Sequence, residues 1–191
     1  MEPPDGPTPG RAQIVTLTMN PALDITTGVD AVRPTDKLCC DTPRYDPGGG
    51  GINVARIAHV LGASVEAVFP AGGPTGDVLT SLLDVAGVPY RRVAIGTSTR
   101  ESFTVNETGT GRQYRFVLPG PRLSHLEQAW CLDELRAAAA AAGFVVASGS
   151  LPPGVPADYY QRVAGMCREL GVNLILDTSG EGLNRLRAGV F

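Results

Sequence analysis

Residues 46–62, DPGGGGINVARIAHVLG, run four consecutive glycines straight into a helical pattern. Backbone N–H groups bared at a helix start can cradle an anion, so a nucleotide loop is the first chemistry to test. A P-loop needs G-x-x-x-x-G-K-[ST], because its lysine reaches the outer phosphates. Lys37 is the single lysine of the chain and precedes the glycines, so that reading fails. A dinucleotide fingerprint G-x-G-x-x-G from Gly48 places Asn53 at the third glycine, and from Gly49 it places Val54 there. Both registers fail, which disfavours a nicotinamide oxidoreductase. Two readings remain. One is a plain strand-to-helix connector; the other is a close approach of backbone to a ligand. Four glycines cost more chain entropy than a connector needs. The ligand reading is therefore favoured, with Asn53 at the helix start as a side chain able to bond hydroxyls.

The elements around this stretch follow from apolar spacing. Residues 14–19, IVTLTM, read as a buried strand, and NPALD after them as a loop, because Asn-Pro disfavours helix at Asn20. Val54, Ala55, Ile57, Ala58 and Leu61 recur at helical spacing, and Gly62 suits a helix stop. A strand over 64–70 and a helix ending near Gly87 follow. ESFTVNE and RQYRFVL, joined by TGTG, read as a hairpin. A long alanine-rich helix spans 124–142; then come strand FVVAS, helix PADYYQRVAGMCREL, strand VNLILD and a short helix from Ser179. This alternation predicts an α/β fold with a mostly parallel sheet. Two extended regions, about 25–47 and 90–118, interrupt it and are expected to form a separate small sheet.

Composition narrows the function classes. A 43 % apolar and 18 % charged chain of 191 residues can bury a core, and a net charge of −3 gives no footprint for nucleic acid. No apolar run is long enough to span a membrane. Residues 1–13 are Pro-rich and polar and are read as a disordered tail ahead of a domain over 14–191, with a cytoplasmic location expected. Cys39, Cys40, Cys131 and Cys167 form no C-x-x-C pair and are read as reduced packing thiols. His59 and His125 are isolated, so no metal set is expected.

One spacing identifies more than these features do. Gly49-Gly50, Asn53, Ala55, Gly62 and Gly72 resemble the N-terminal signature of the ribokinase-like, or PfkB-type, carbohydrate kinases. TLTMNPALD, PGGGGINVAR, FPAGG, SFTV, QYRFVLPG, SGSLPPGV and LDTSGE, in that order, look like the phosphofructokinase branch of that family. The resemblance runs from about residue 13 to the end and covers somewhat more than the first half of such a kinase. It implies a three-layer α/β sandwich with a small β lid.

It also implies roles for individual residues. Asp24, Gly49, Gly50 and Asn53 would hold sugar hydroxyls; read alone, Asp24 is a loop or cap aspartate. Arg100 and Arg115 would hold the substrate's phosphate, as guanidinium forks suit a dianion. Arg91, Arg92 and Arg112 are read as solvated strand residues. Ser150 stands at a strand end, where ligands of open sheets gather. Lys37 would reach across a homodimer made by lid-to-lid packing. The implied reaction is phosphoryl transfer from ATP with Mg²⁺ to fructose 6-phosphate, with fructose 1-phosphate and tagatose 6-phosphate as alternative substrates. The family's G-A-G-D-like loop, which carries the catalytic base, has no match after Gly149, nor has an ATP-binding region. A truncated chain inactive alone is therefore expected, the competing reading being a non-catalytic fragment that binds a sugar phosphate or dimerises.

Overall fold

The computed structural model describes residues 13–179; the Pro-rich start and the helix expected after Ser179 fall outside them. Nine strands and four helices are present among the described residues. β1 (Ile14–Leu17), β4 (Val65–Ala71), β5 (Tyr90–Ala94), β8 (Phe144–Ser148) and β9 (Asn173–Asp177) form one sheet in the order β5-β4-β1-β8-β9, with every pairing parallel. β-branched and other apolar residues on both faces of the central strands β4, β1 and β8 mark them as buried on two sides, whereas the edge strands β5 and β9 are partly exposed.

Alternate residues feed two separate cores. Val15, Leu17, Val68, Val145 and Ala147 face Cys131, Leu135, Tyr159 and Val163 of α3 (His125–Ala139) and α4 (Tyr159–Leu170). Val65, Ala67 and Phe69 face Ile52 and Ala55 of α1 (Gly50–Val60) and Leu79 and Leu83 of α2 (Gly73–Val85). Three layers result, as right-handed crossovers require: steps from β1 to β4 to β5 place helices on one face, and steps to β8 and β9 place them on the other. Each fully buried leucine or phenylalanine contributes about 1.5–3 kcal/mol.

Local signals set the helix ends. α3 starts in a capping box, with Ser124 Oγ accepting from the Glu127 N–H and the Glu127 carboxylate accepting from the Ser124 N–H. α4 ends at Gly171, whose left-handed φ of 67° suits glycine.

A second sheet stands apart: β2 (Ala22–Val29), β3 (Arg44–Gly48), β6 (Arg100–Glu107) and β7 (Arg112–Val117), in the order β3-β2-β6-β7. Three expectations change here. Ala22, Leu23 and Asp24 are strand rather than loop, because β2 begins immediately after the Asn-Pro step and pairs on both sides. The extended region at 90–118 divides: β5 joins the main sheet beside β4, and only β6 and β7 belong to the small sheet. Arg91 and Arg92 are not merely solvated, since Arg91 pairs with Glu66 and Glu134, and Arg92 with Asp77. They stitch the edge strand to β4, α3 and α2. Cys131 and Cys167 are buried as packing thiols, and burial raises the Cys131 thiol to about 12 and the Cys167 thiol to about 11. Cys39 and Cys40 are exposed on the β2–β3 connection instead, which corrects the packing reading for that pair.

Candidate functional site

Residues paired across a sheet share a face, so the register of the small sheet sorts its side chains. One row runs Asp46, Asp24, Ser102, Val117. The next row up runs Arg44, Thr26, Thr104, Arg115, and the row below holds Gly48, Ala22 and Arg100. Asp24, Arg100 and Arg115 therefore lie on one polar face.

Their electrostatics are coupled. The Asp24 carboxyl is half-buried, and burial raises its pKa above the ordinary value. Arg100, Arg115 and a hydrogen bond with Ser102 pull it back down, while Asp46 pushes it up. Burial lowers the pKa of Arg100, and the Asp24 charge opposes that shift. Arg100 donates from Nη1 to the Leu118 carbonyl at 3.2 Å and from Nη2 to the Asn20 carbonyl at 3.1 Å. Its Nε is buried without a hydrogen-bond partner among the described residues. Two backbone carbonyls thus hold this desolvated cation in place, and the Asp24 charge favours it electrostatically. Arg115 is more exposed, near the rim of the sheet.

The glycine run lies where this face meets the main sheet. Gly49 takes φ 118° and caps α1, a backbone region closed to side chains, and a Cβ there would stand 2.6 Å from Thr18 Cγ2. Close approach explains the neighbours: a Cβ on Gly48 would overlap the Asp24 carboxylate, and one on Gly50 would overlap Ser148 Oγ. The glycines thus let Asp24, Thr18 and Ser148 converge on the start of α1. Thr18 Oγ1 accepts the Ile52 N–H at 2.8 Å, and Ser148 Oγ donates to Asp177 at 3.0 Å. Thr18, Ser148 and Asp177 stand at the C-terminal ends of β1, β8 and β9, the ligand side of an open parallel sheet.

Ser150 is exposed, and its Oγ accepts from Asn20 Nδ2 at 3.1 Å. The turn before it is fixed from the opposite side, where Tyr160 Oη and Thr178 Oγ1 both donate to the Gly149 carbonyl. Of the residues singled out in the sequence, Asp24, Gly49, Gly50, Arg100, Arg115 and Ser150 thus gather at one end of the molecule. Asn53 lies on exposed α1 surface and lines two grooves of about 290 and 410 Å³ with Ile57. Lys37 is exposed on the β2–β3 connection and takes no part in the network around Asp24. Sequence reasoning missed Gly48, Asn20 and Ser102. Gly48 carried a signal, being part of the glycine run; the other two become visible only through pairing and a contact between residues 130 apart.

No cluster of three or more His, Cys, Asp or Glu side chains arranged to hold a metal occurs among the described residues. No helix among them is long and apolar enough to cross a membrane.

Known proteins with this arrangement can now be compared. The chain is 69 % identical over 182 residues to the ATP-dependent 6-phosphofructokinase isozyme 2 of Mycobacterium tuberculosis strain H37Rv, a match spanning 95 % of this chain and 54 % of that protein. It is 41 % identical over 172 residues to the protein of the same name in Escherichia coli K12, spanning 90 % of this chain and 55 % of that one. Its fold matches the crystal structure of phosphofructokinase-2 from Escherichia coli in complex with fructose-6-phosphate with a TM-score of 0.85, covering 90 % of this chain and 56 % of the other. The chain thus spans about half the length of the curated relatives it matches. The profile of the pfkB family carbohydrate kinases matches residues 17–191. With the parallel sheet, the separate small sheet and the glycine-started α1 in the matched region, this chain belongs to the pfkB family of carbohydrate kinases.

Proposed function

We propose that this chain is the sugar-phosphate-binding part of an ATP-dependent kinase that converts fructose 6-phosphate to fructose 1,6-bisphosphate. The observation that carries the reading is the polar face on which one half-buried carboxylate, Asp24, stands with Arg100 and Arg115 above the strand ends. Asp24 accepts hydrogen bonds from sugar hydroxyls, the N–H groups at Gly49 and Gly50 donate to others, and Ser150 stands beside them at the turn after β8; Asn53, on the exposed surface of α1, is not placed in this set. The two guanidinium groups hold the phosphate. The names of the Mycobacterium tuberculosis and Escherichia coli relatives support fructose 6-phosphate over its isomers.

In the reaction, the free primary hydroxyl of the sugar attacks the γ-phosphorus of ATP. A C–O–P linkage forms, the bond to the β-phosphate oxygen breaks, ADP leaves and the hydroxyl proton passes to a base. Such transfer is governed by positioning and charge stabilisation. Mg²⁺ bound with ATP supplies charge neutralisation in such reactions, and no cluster of His, Cys, Asp or Glu among the described residues is arranged to hold it. The part played by this chain is to fix the acceptor hydroxyl, through Asp24 and the bared backbone at one end of the sugar and the arginines at the other. None of its described residues is assigned as the base.

Assembly follows from the reverse face of the small sheet. Tyr45, Ile25, Phe103 and Phe116 form one row across its four strands, with Tyr45 and Phe116 about half exposed. Packing that row on the same row of a second copy buries both and brings the loop of Lys37 toward the partner's site.

The test is a coupled ADP-release assay on this chain and on a fusion of the whole chain to the unmatched remainder of the Mycobacterium tuberculosis relative. The fusion phosphorylates fructose 6-phosphate and the chain alone does not. Turnover by the chain alone, or a folded fusion with none, contradicts the reading.

A further inference from the structure

We propose that Asn20 is a positioning residue of the sugar-phosphate site, setting both Ser150 and Arg100 through one buried amide residue. The inference rests on the reading of that site given above. Asn20 occupies the step between β1 and β2 and is 8 % exposed. Its Nδ2 donates to Ser150 Oγ at 3.1 Å, and its backbone carbonyl accepts from Arg100 Nη2 at 3.1 Å. Arg100 Nη1 is tied at the same time to the Leu118 carbonyl, where the chain leaves the small sheet. Asn20 therefore joins the start of β6, through Arg100, to the turn after β8, through Ser150.

The packing leaves Asn20 little freedom. Its Oδ1 lies against Gly120, where any Cβ would overlap it, and that same Cβ would stand 3.2 Å from Pro152 Cβ. The amide is thus wedged between the segment at 118–120 and the turn at 149–152. Asn20 Oδ1 and Arg100 Nε are both buried without hydrogen-bond partners among the described residues. An uncharged donor of this length is what the position needs. Alanine frees Ser150 and opens a gap, and aspartate places a second carboxylate near Arg100, where it competes with a substrate phosphate.

The experiment is a double-substitution cycle read by calorimetric titration of this chain with fructose 6-phosphate. Asn20→Ala and Ser150→Ala each weaken binding about tenfold, the equivalent of one charge-assisted or well-formed hydrogen bond. The double variant is no more than about twofold weaker than the poorer single, because both changes remove the same contact. Multiplicative losses, the mark of two independent contributions, or unchanged affinity with a lowered melting temperature, the mark of a role confined to stability, each overturn the proposal. Asn20→Asp, nearly isosteric, covers the case in which alanine prevents folding: fructose 6-phosphate affinity falls by about tenfold or more, and unchanged affinity overturns the proposal. If the unsubstituted chain binds fructose but not fructose 6-phosphate, or neither, the sugar-phosphate reading itself falls and this inference with it.

Discussion

At the scale of single residues, Asp24 shows how burial and function oppose each other. Its pKa is raised by burial even after the contributions of Arg100, Arg115 and Ser102 that lower it. The folded state then holds the Asp24 proton more tightly than the unfolded chain does. Stability from this group therefore falls as pH rises from the ordinary carboxylate range through the raised value, and the penalty is complete above it. Asparagine mimics the neutral acid. Asp24→Asn is expected to leave the melting temperature at pH 7 no lower than that of the parent, to flatten the acid part of the stability profile, and to weaken fructose 6-phosphate binding about 10- to 100-fold through lost charged hydrogen bonds. Scanning calorimetry at pH 4 and pH 7, with titration at pH 7, checks this; a lower melting temperature at pH 7 with intact binding would show a structural aspartate. Asp24 itself was legible in the sequence only by resemblance to the family, since an isolated loop aspartate is ordinary. The glycines were legible as a close approach. The bodies that approach them, Thr18, Asp24 and Ser148, were not, because each comes from a different strand.

At the scale of elements, the small sheet separates two tasks by the two-residue period of a strand. Asp24, Ser102 and Arg115 share one face, and Ile25, Phe103 and Phe116 the other. The half-exposed aromatic row on this four-stranded sheet is the surface proposed for lid-to-lid association. Phe116→Asp, at a position already 56 % exposed, is expected to convert a dimer to a monomer in analytical ultracentrifugation while the far-UV spectrum is unchanged. A parent chain that sediments as a monomer, or a variant that remains dimeric, contradicts the lid-to-lid arrangement. The hairpin β6–β7 was legible because both strands and their turn are adjacent in sequence. β5 was misassigned because its polar, arginine-bearing sequence reads like the hairpin beside it, whereas its partner is β4, more than fifteen residues upstream. The start of β2 was misread because proline at 21 signals a turn locally, and pairing with β3 and β6 overrides that signal.

At the scale of the whole molecule, alternation of strands and helices predicted the parallel sheet, and the two apolar clusters on its faces account for its stability. Strand order needed the structure, since parallel pairing is non-local and its register follows from crossovers rather than from turns. The strand ends, the start of α1 and the polar face of the small sheet then meet at one end of the chain, so the fold itself assembles a site whose residues lie as far apart in sequence as Thr18 and Ser148. The proposed function turns on recognition of a phosphorylated sugar at this end through Arg100. The decisive measurement is titration of the chain and its Arg100→Ala variant with fructose 6-phosphate and with fructose. Saturable binding of fructose 6-phosphate, at least about tenfold tighter than fructose, with that preference lost in Arg100→Ala, is the predicted result. Equal affinity for the two sugars, or a preference that survives Arg100→Ala, would contradict it.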